Sequence, residues 1–526
     1  MIRKLMVCLL LAFISAGFEG ITMAQLPGYP APRYPKIPNI TSVDQLMPYT
    51  RFIVAKAGDK SIIMRPGYNI QGGERVLMQM NDTTDPLVIE AFRRAFVEKG
   101  CKVDIVILPT PKSQMEGEID GADEMRLGLA ALPLQRARYA ALGTKGLKYL
   151  PEGPADALAF SNFIEARKYD LVIGPSDTVG QKNPYMAERM NWFTREMLAS
   201  PATTFPEELV MLIDRKGWEV LRAAKSARFT DPEGTDIHWT WFPGYWQVVE
   251  GTHPTIKEPG GGPASGQSGY IYGPGRSEDP LIPGHLMGIP EGIVIPESDA
   301  EGIIAGTSNH YGPYPFMKVT VQRHLVTKVE GGGEFGRLLG ETLEKYKTLK
   351  FPNYPREGYG YVIECAIGTN PKIMRQYNVM ETPYLKRQWV DERRRSGIIH
   401  WGFGIISNVN EAYAVEHDAP TYHYHTHQYF ATYEATMPDG RKVLLLNKGR
   451  LTSLDDPEIR RVAAKYGDPD ELLREDWIPA IPGINVAGDY MKDYAENPAA
   501  YIREEQRKAY PEAIARFNER GYDVYK

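Results

Sequence analysis

The chain has 526 residues, 43% of them apolar and 24% charged, with a net charge of −5 at neutral pH. That length exceeds one ordinary hydrophobic core, so two domains plus extensions are expected. The small negative charge and the lack of a basic stripe exclude nucleic acid as a partner.

In chain order, the first segment is of a different kind from the rest. Arg3 and Lys4 precede an apolar run from Leu5 to Phe18, and Thr22-Met23-Ala24 supplies small residues. This is the pattern of a signal peptide cut near Ala24, which predicts a periplasmic or secreted protein. The apolar run is short for a membrane span, so no stable membrane insertion is expected. Cys101 and Cys365 then remain, and an oxidising compartment leaves a disulfide or two buried thiols as alternatives.

Residues 25–44 read as a Pro-rich arm. Glu74–Met80 reads as a strand, Pro86–Lys99 as a helix ending at Gly100, and Lys102–Leu108 as a second strand. Strand, helix, strand is a βαβ unit and predicts a mainly parallel sheet. Tyr169–Gly174 reads as a further strand of it, and the Ala-, Leu- and Arg-rich stretch between reads as a helical insertion. The α/β domain is therefore expected over 45–220. Short β segments bounded by Gly and Pro follow, and predict a β-rich α+β metal-binding domain over 221–450. The glycine-rich run 259–275 reads as a lid, a substrate loop or a plain surface loop. From 451 to 526 the pattern is helical and charged. This tail reads as docked on the body, and offers a contact for a homodimer or higher homo-oligomer.

The chemistry concentrates in Tyr422-His423-Tyr424-His425-Thr426-His427-Gln428. Alternate residues of a strand share one face, so three imidazoles project together. Imidazole is the commonest protein ligand for transition metals. Three further ligands are read beside it. Glu364 and His400 interrupt apolar β runs, where an unpaired polar group is costly, and Glu291 sits in Ile289-Pro290-Glu291-Gly292.

From about residue 45 to 450 the chain resembles the thermophilic metallo-aminopeptidase family, the aminopeptidase T type (leucyl aminopeptidase-like), and its relative 2,5-dihydroxypyridine dioxygenase. Thr230-Asp231-Pro232-Glu233-Gly234-Thr235-Asp236 is similar to the family's start of the second domain. Glu291 with Pro296, Glu364 before Gly368-Thr369-Asn370-Pro371, and His400 in Gly397-Ile398-Ile399-His400 after Asp391-Glu392-Arg393 match its metal motifs. The family's His-x-Asp pair stands here as His-x-His, either His425 with His427 or His423 with His425. His285 followed by Asp299-Ala300-Glu301-Gly302 is similar to the dioxygenase instead.

The resemblance implies a divalent metal and a small-molecule or peptide substrate, with two mechanisms. In a hydrolase, favoured slightly at this point, one or two Zn or Mn ions on Glu291, Glu364, His400, His425 and His427 activate a water. Glu291 or Glu392 then serves as general base. In a ring-cleaving dioxygenase, a single Fe(II) sits on Glu364, His425 and His427, with His285 as acid/base. The Tyr- and Trp-rich segment around His238, Trp239, Trp241, Tyr245 and Trp246 then lines an aromatic pocket. A non-catalytic periplasmic metal- or solute-binding protein is the third reading. Loss of the Asp matters, because a carboxylate bridges two metals and a neutral imidazole, with one lone pair, does not.

Overall fold

The computed structural model describes residues 26, 28–56, 68–109, 117–142, 162–164, 166–174, 185–188, 194–241, 285–287, 299–351, 354–382, 389–405, 407–421 and 423–520. The leader-like segment 1–24, the glycine-rich run 259–275, Tyr245, Trp246 and Glu291 lie outside the described residues. Of His285 only the backbone is described. Among the described residues, no helix is long and apolar enough to cross a membrane. Cys101 and Cys365 are both buried free thiols.

The amino-terminal half is built by the βαβ logic of its sequence. Strands β1 (Arg75–Asn81), β2 (Lys102–Leu108), β3 (Leu171–Gly174) and β4 (Tyr185–Glu188) form a parallel sheet in the order β2-β1-β3-β4. The helix Pro86–Glu98 begins where Asp85 accepts from the Leu87 amide and Pro86 presets the first turn. Its apolar face carries Phe92 and Phe96, which join Val76, Met78 and Met80 of β1 in one core.

The second half is a 12-stranded sheet in which every described pairing is antiparallel. Its strands are β5 (Ser226–Thr230), β6 (Asp236–Thr240), β7 (His285–Met287), β8 (Glu301–Ser308), β9 (Pro313–Gln322), β10 (Leu325–Gly331), β11 (Tyr361–Gly368), β12 (Ile399–Gly404), β13 (His423–Gln428), β14 (Thr432–Thr436), β15 (Lys442–Asn447) and β16 (Arg450–Leu451). The order runs β13-β12-β11-β10-β9-β8-β6-β5-β14-β15-β16, with β7 paired to β11. The terminal strand β13 does not stand as an open edge. Gln428 Nε2 donates to the Ala305 carbonyl of β8 at 2.6 Å. Gly306 makes that approach possible, since a Cβ there would run into the Thr426 hydroxyl. Strands β11 and β12 are buried at every position, so their polar residues must find partners inside the protein.

Arm and tail close the back of these strands. The Leu26 amide donates to the Ile484 carbonyl, and Arg33 and Ile478 pair through both backbone groups. Trp477, Ile481, Tyr494, Ile502, Tyr510 and Phe517 form one core with Ile37, Tyr377, Trp389 and Tyr429. His238 lies on β6, while Trp239 is buried beside Trp401 and Tyr433, at ring separations of 6.2 and 5.7 Å.

Trp401 sits on β12 directly between His400 and Gly402. It packs edge-on against Phe229 at 5.1 Å, and its indole N–H donates to Gln428 at 2.8 Å. Trp401→Ala is expected to cost about 3–5 kcal/mol of stability, read as a lowered midpoint in urea unfolding at unchanged slope.

Candidate metal centre

Three neighbouring strands bring the chemistry together by register. Gly402 on β12 is opposite Glu364 on β11 and opposite His425 on β13. Two residues to either side, His400 pairs with His427 and Gly404 with His423. The period of two then puts Glu364, His400, His423, His425 and His427 on one face. Gly402 is the middle of the site, and its lack of a side chain is what lets the flanking residues meet. A Cβ there would lie 2.7 Å from His423 Cδ2 and 2.9 Å from Glu364 Cβ.

Glu364 is the hub. His400 Nε2 lies 2.7 Å from its Oε1, and His423 Nε2 lies 2.8 Å from its Oε2. His425 Nε2 lies 3.4 Å from the same Oε2. Burial opposes ionisation of Glu364, but the His400 charge and hydrogen bonds from His400, His423 and His425 outweigh it. They hold the carboxyl well below the usual range.

The second nitrogen of each imidazole fixes its tautomer. His425 Nδ1 lies 2.6 Å from Glu124 Oε1, and the His425 amide donates to Glu124 Oε2 at 3.0 Å. His423 Nδ1 lies 3.3 Å from the Ile405 carbonyl. Both Nδ1 atoms therefore donate, and a neutral ring then presents a lone pair at Nε2. Each Nε2 then faces the same carboxylate oxygen, at 2.8 and 3.4 Å, and there it either carries a second proton or gives its lone pair to a cation. Burial pushes the His425 pKa down against the pull of Glu124, which disfavours a proton in that role. Among the described residues, Glu364, His423 and His425 are one of two groups whose ligand atoms all lie within 4.8 Å of one another; the other is His310, His400 and His425. Two imidazoles and one carboxylate suit Fe(II) or Zn(II) better than Mg(II) or Ca(II).

His427 goes elsewhere. Its Nδ1 lies 2.8 Å from Glu392 Oε1, and burial lowers its pKa against the opposing pull of Glu392. Its Nε2 is buried with no hydrogen-bond partner among the described residues. Glu392 is fully buried. Arg375 Nε donates to its Oε2 at 2.6 Å and the Tyr429 hydroxyl to its Oε1 at 2.6 Å. Burial opposes its ionisation, and Arg375 and His427 outweigh it, so Glu392 stays below the usual carboxylate range.

Two participants were not anticipated. His310, in the turn after β8, stacks on His425 with ring centroids 3.4 Å apart. Its Nε2 lies 3.4 Å from an Arg393 guanidinium nitrogen and its Nδ1 3.8 Å from Glu124 Oε1. Burial, then the neighbouring His425 and Arg393, push its pKa well down. Asn309 sets the turn by accepting from the Tyr311 and Gly312 amides; Ser308-Asn309-His310-Tyr311-Gly312 is the only signal the sequence held. Glu124, 301 residues from His425, opens the helix Asp123–Leu142 and looks in sequence like any acid of a first helical turn. The backbone of His285 pairs with Gly368, at the end of β11.

No family model matches the chain, and no curated protein matches it. Among solved structures it is similar to 2,5-dihydroxypyridine dioxygenase from Pseudomonas putida KT2440, at 15% identity and a TM-score of 0.45, over 80% of this chain and 99% of that one.

Glu364→Ala and His425→Ala are each expected to abolish tight metal binding while the far-ultraviolet spectrum stays native. Gly402→Ala should do nearly the same without removing any ligand, because the new methyl occupies the space between Glu364 and His423. Elemental analysis of the purified variants checks all three; full occupancy in Gly402→Ala would show that the ligands do not converge there.

Proposed function

We propose that the protein is a metal-dependent enzyme with one divalent transition-metal ion on Glu364, His423 and His425. The observation that carries this reading is the convergence of two imidazole Nε2 atoms on one carboxylate oxygen, at 2.8 and 3.4 Å. We assign it oxygenase chemistry on a small hydroxylated aromatic or N-heteroaromatic substrate. One carboxylate and two imidazoles are the set used by non-haem Fe(II) oxygenases. The other carboxylates of the cluster are engaged, Glu124 with His425 and Glu392 with Arg375, Tyr429 and His427. Neither stands ready as the base that water activation requires.

Ferrous iron held by Glu364, His423 and His425 would supply an electron donor for dioxygen and a Lewis acid for a chelating substrate. The chain's own residues do the rest. Glu124 and the Ile405 carbonyl hold His425 and His423 in the tautomer that presents Nε2. His400 holds Glu364 Oε1 and leaves Oε2 turned toward those two nitrogens. His423, 24% exposed against 0% for His400, marks the side from which substrate approaches. His285 keeps the assignment of acid/base toward the substrate hydroxyl, on the strength of its place in β7 beside β11. Glu392 acts as a positioning residue for His427.

A metallohydrolase is the second reading. The overlapping His310, His400 and His425 group favours it, because it offers a place for a second zinc or manganese ion. Glu291 is then the assigned base.

Purified protein is expected to contain one iron per chain and to consume oxygen in proportion to loss of a dihydroxylated aromatic. Turnover of a peptide or amide that is equal under air and nitrogen, with two zinc ions bound, would replace the first reading by the second. We further propose, from the leader-like pattern of residues 1–24, that the enzyme is exported. The matching outcome is a mature chain beginning at Gln25 in mass spectra of the periplasmic fraction, and an intact Met1 there would overturn it.

A further inference from the structure

Behind the histidine strands, arm and tail border a partly open cavity of about 170 Å³. That is room for about six waters at roughly 30 Å³ each. Its lining includes four arginines, Arg33, Arg395, Arg450 and Arg474, and one carboxylate, Glu475. Pro30, Gly449 and Ile478 complete the wall.

The charges do not cancel. Arg450 donates to Glu475 Oε2 at 2.8 Å and to Asp455 at 2.7 Å, and Arg474 pairs with Glu471. Arg33 spends a guanidinium N–H on the Glu475 backbone carbonyl at 2.6 Å, not on its charge. Arg395 is 1% exposed. The only hydrogen bonds of its guanidinium among the described residues go to the Tyr429 carbonyl at 3.2 Å and the Gly449 carbonyl at 3.5 Å. Its Nε has no partner there. Burial pushes it down to about 10, against Glu475 and Glu392, so it stays cationic at neutral pH. A buried guanidinium without a paired anion is expensive; Arg395 is one, and half-buried Arg33 on the same cavity makes no ion pair with the described residues either.

The second unsatisfied atom has the opposite sense. Glu475 Oε1 is buried and accepts no hydrogen bond from the described residues. The cavity wall therefore lacks acceptors for a guanidinium and a donor for a carboxylate. One small ion answers both. Hydrogen phosphate offers charged oxygens to planar guanidinium forks and keeps one P–OH that donates to a carboxylate.

We propose that this cavity is a binding site for inorganic hydrogen phosphate, held by Arg33, Arg395 and Arg474 through its charged oxygens and by Glu475 Oε1 through its P–OH. Sulfate has the same shape and charge but no proton to donate, so it leaves Glu475 facing an oxyanion. A phosphomonoester dianion has the same defect. Because Arg33 belongs to the arm and Arg474 and Glu475 to the tail, the ion ties the two together.

Isothermal titration calorimetry and thermal unfolding of the full chain test this, with sodium phosphate, sodium sulfate, phenyl phosphate and potassium chloride at matched ionic strength. Phosphate is expected to bind at one site and raise the melting temperature, with sulfate and phenyl phosphate at least about tenfold weaker. Arg474→Gln and Arg33→Gln, both away from the metal centre, should each weaken phosphate about tenfold at unchanged metal content. Glu475→Gln should narrow the gap between phosphate and sulfate. Arg395→Gln removes a buried group, so half-buried Arg33 and exposed Arg474 carry the test if it fails to fold. Phosphate acting no differently from chloride would overturn the site. So would phosphate binding undiminished in both arginine variants, which would locate it elsewhere, the metal centre included. Equal affinity for sulfate would overturn the role of Glu475.

Discussion

One buried carboxylate sets the terms for this molecule. Glu364 lies in a strand with no exposed residue, where an isolated negative charge would be driven to protonate. Three imidazoles keep it ionised, and two of them reach it only because the position between is Gly402. Each imidazole needs an acceptor on its other face, which draws in Glu124 from a distant helix and the Ile405 carbonyl. The site is thus a chain of obligations. A charge requires imidazoles, the imidazoles require acceptors, and the acceptors come from elements that the sheet alone would not recruit.

A second buried charge organises the back of the same strands. Arg375 lies within 4.4–5.3 Å of the ring centres of Trp389, Tyr429 and Trp477, and its Nη1 is 4.0 Å from Glu505. It holds Glu392, and Glu392 holds His427. The aromatic cage does for this guanidinium what solvent does elsewhere, since ring faces attract a cation. The tail therefore reaches the histidine strand through two side chains, and its docking bears on the geometry of His427.

Much of this was legible in the amino-acid order, for local reasons. A βαβ unit announces itself through Asp85-Pro86 and two flanking apolar runs. Three histidines on alternate positions share a face in any strand, whatever surrounds it. An acid and a histidine inside apolar runs, Glu364 and His400, are conspicuous because burial makes them costly. What stayed hidden depends on long-range contact. Glu124 becomes remarkable only when buried against His425, and its local sequence describes an ordinary helix start. His310 lies in a turn whose place over His425 is fixed by strands β8 and β13 meeting across the sheet. Which of His423, His425 and His427 face Glu364 followed from the pairing of Gly402 with His425, a matter of register that no single strand encodes.

The contacts between arm and tail bear on the order in which the polypeptide can mature. During synthesis Arg375, Trp389 and Tyr429 emerge before Trp477 and Glu505, the groups that cover them. Until those arrive, a cation and two large rings stand uncovered at the rear of a half-built sheet, the kind of surface that chaperones hold and that aggregates when they fail. The arm, made first, waits longest, because its backbone partners at Ile478 and Ile484 come near the end. The last helices thus act as a latch that commits the folded body, and their loss would be felt first in yield and solubility.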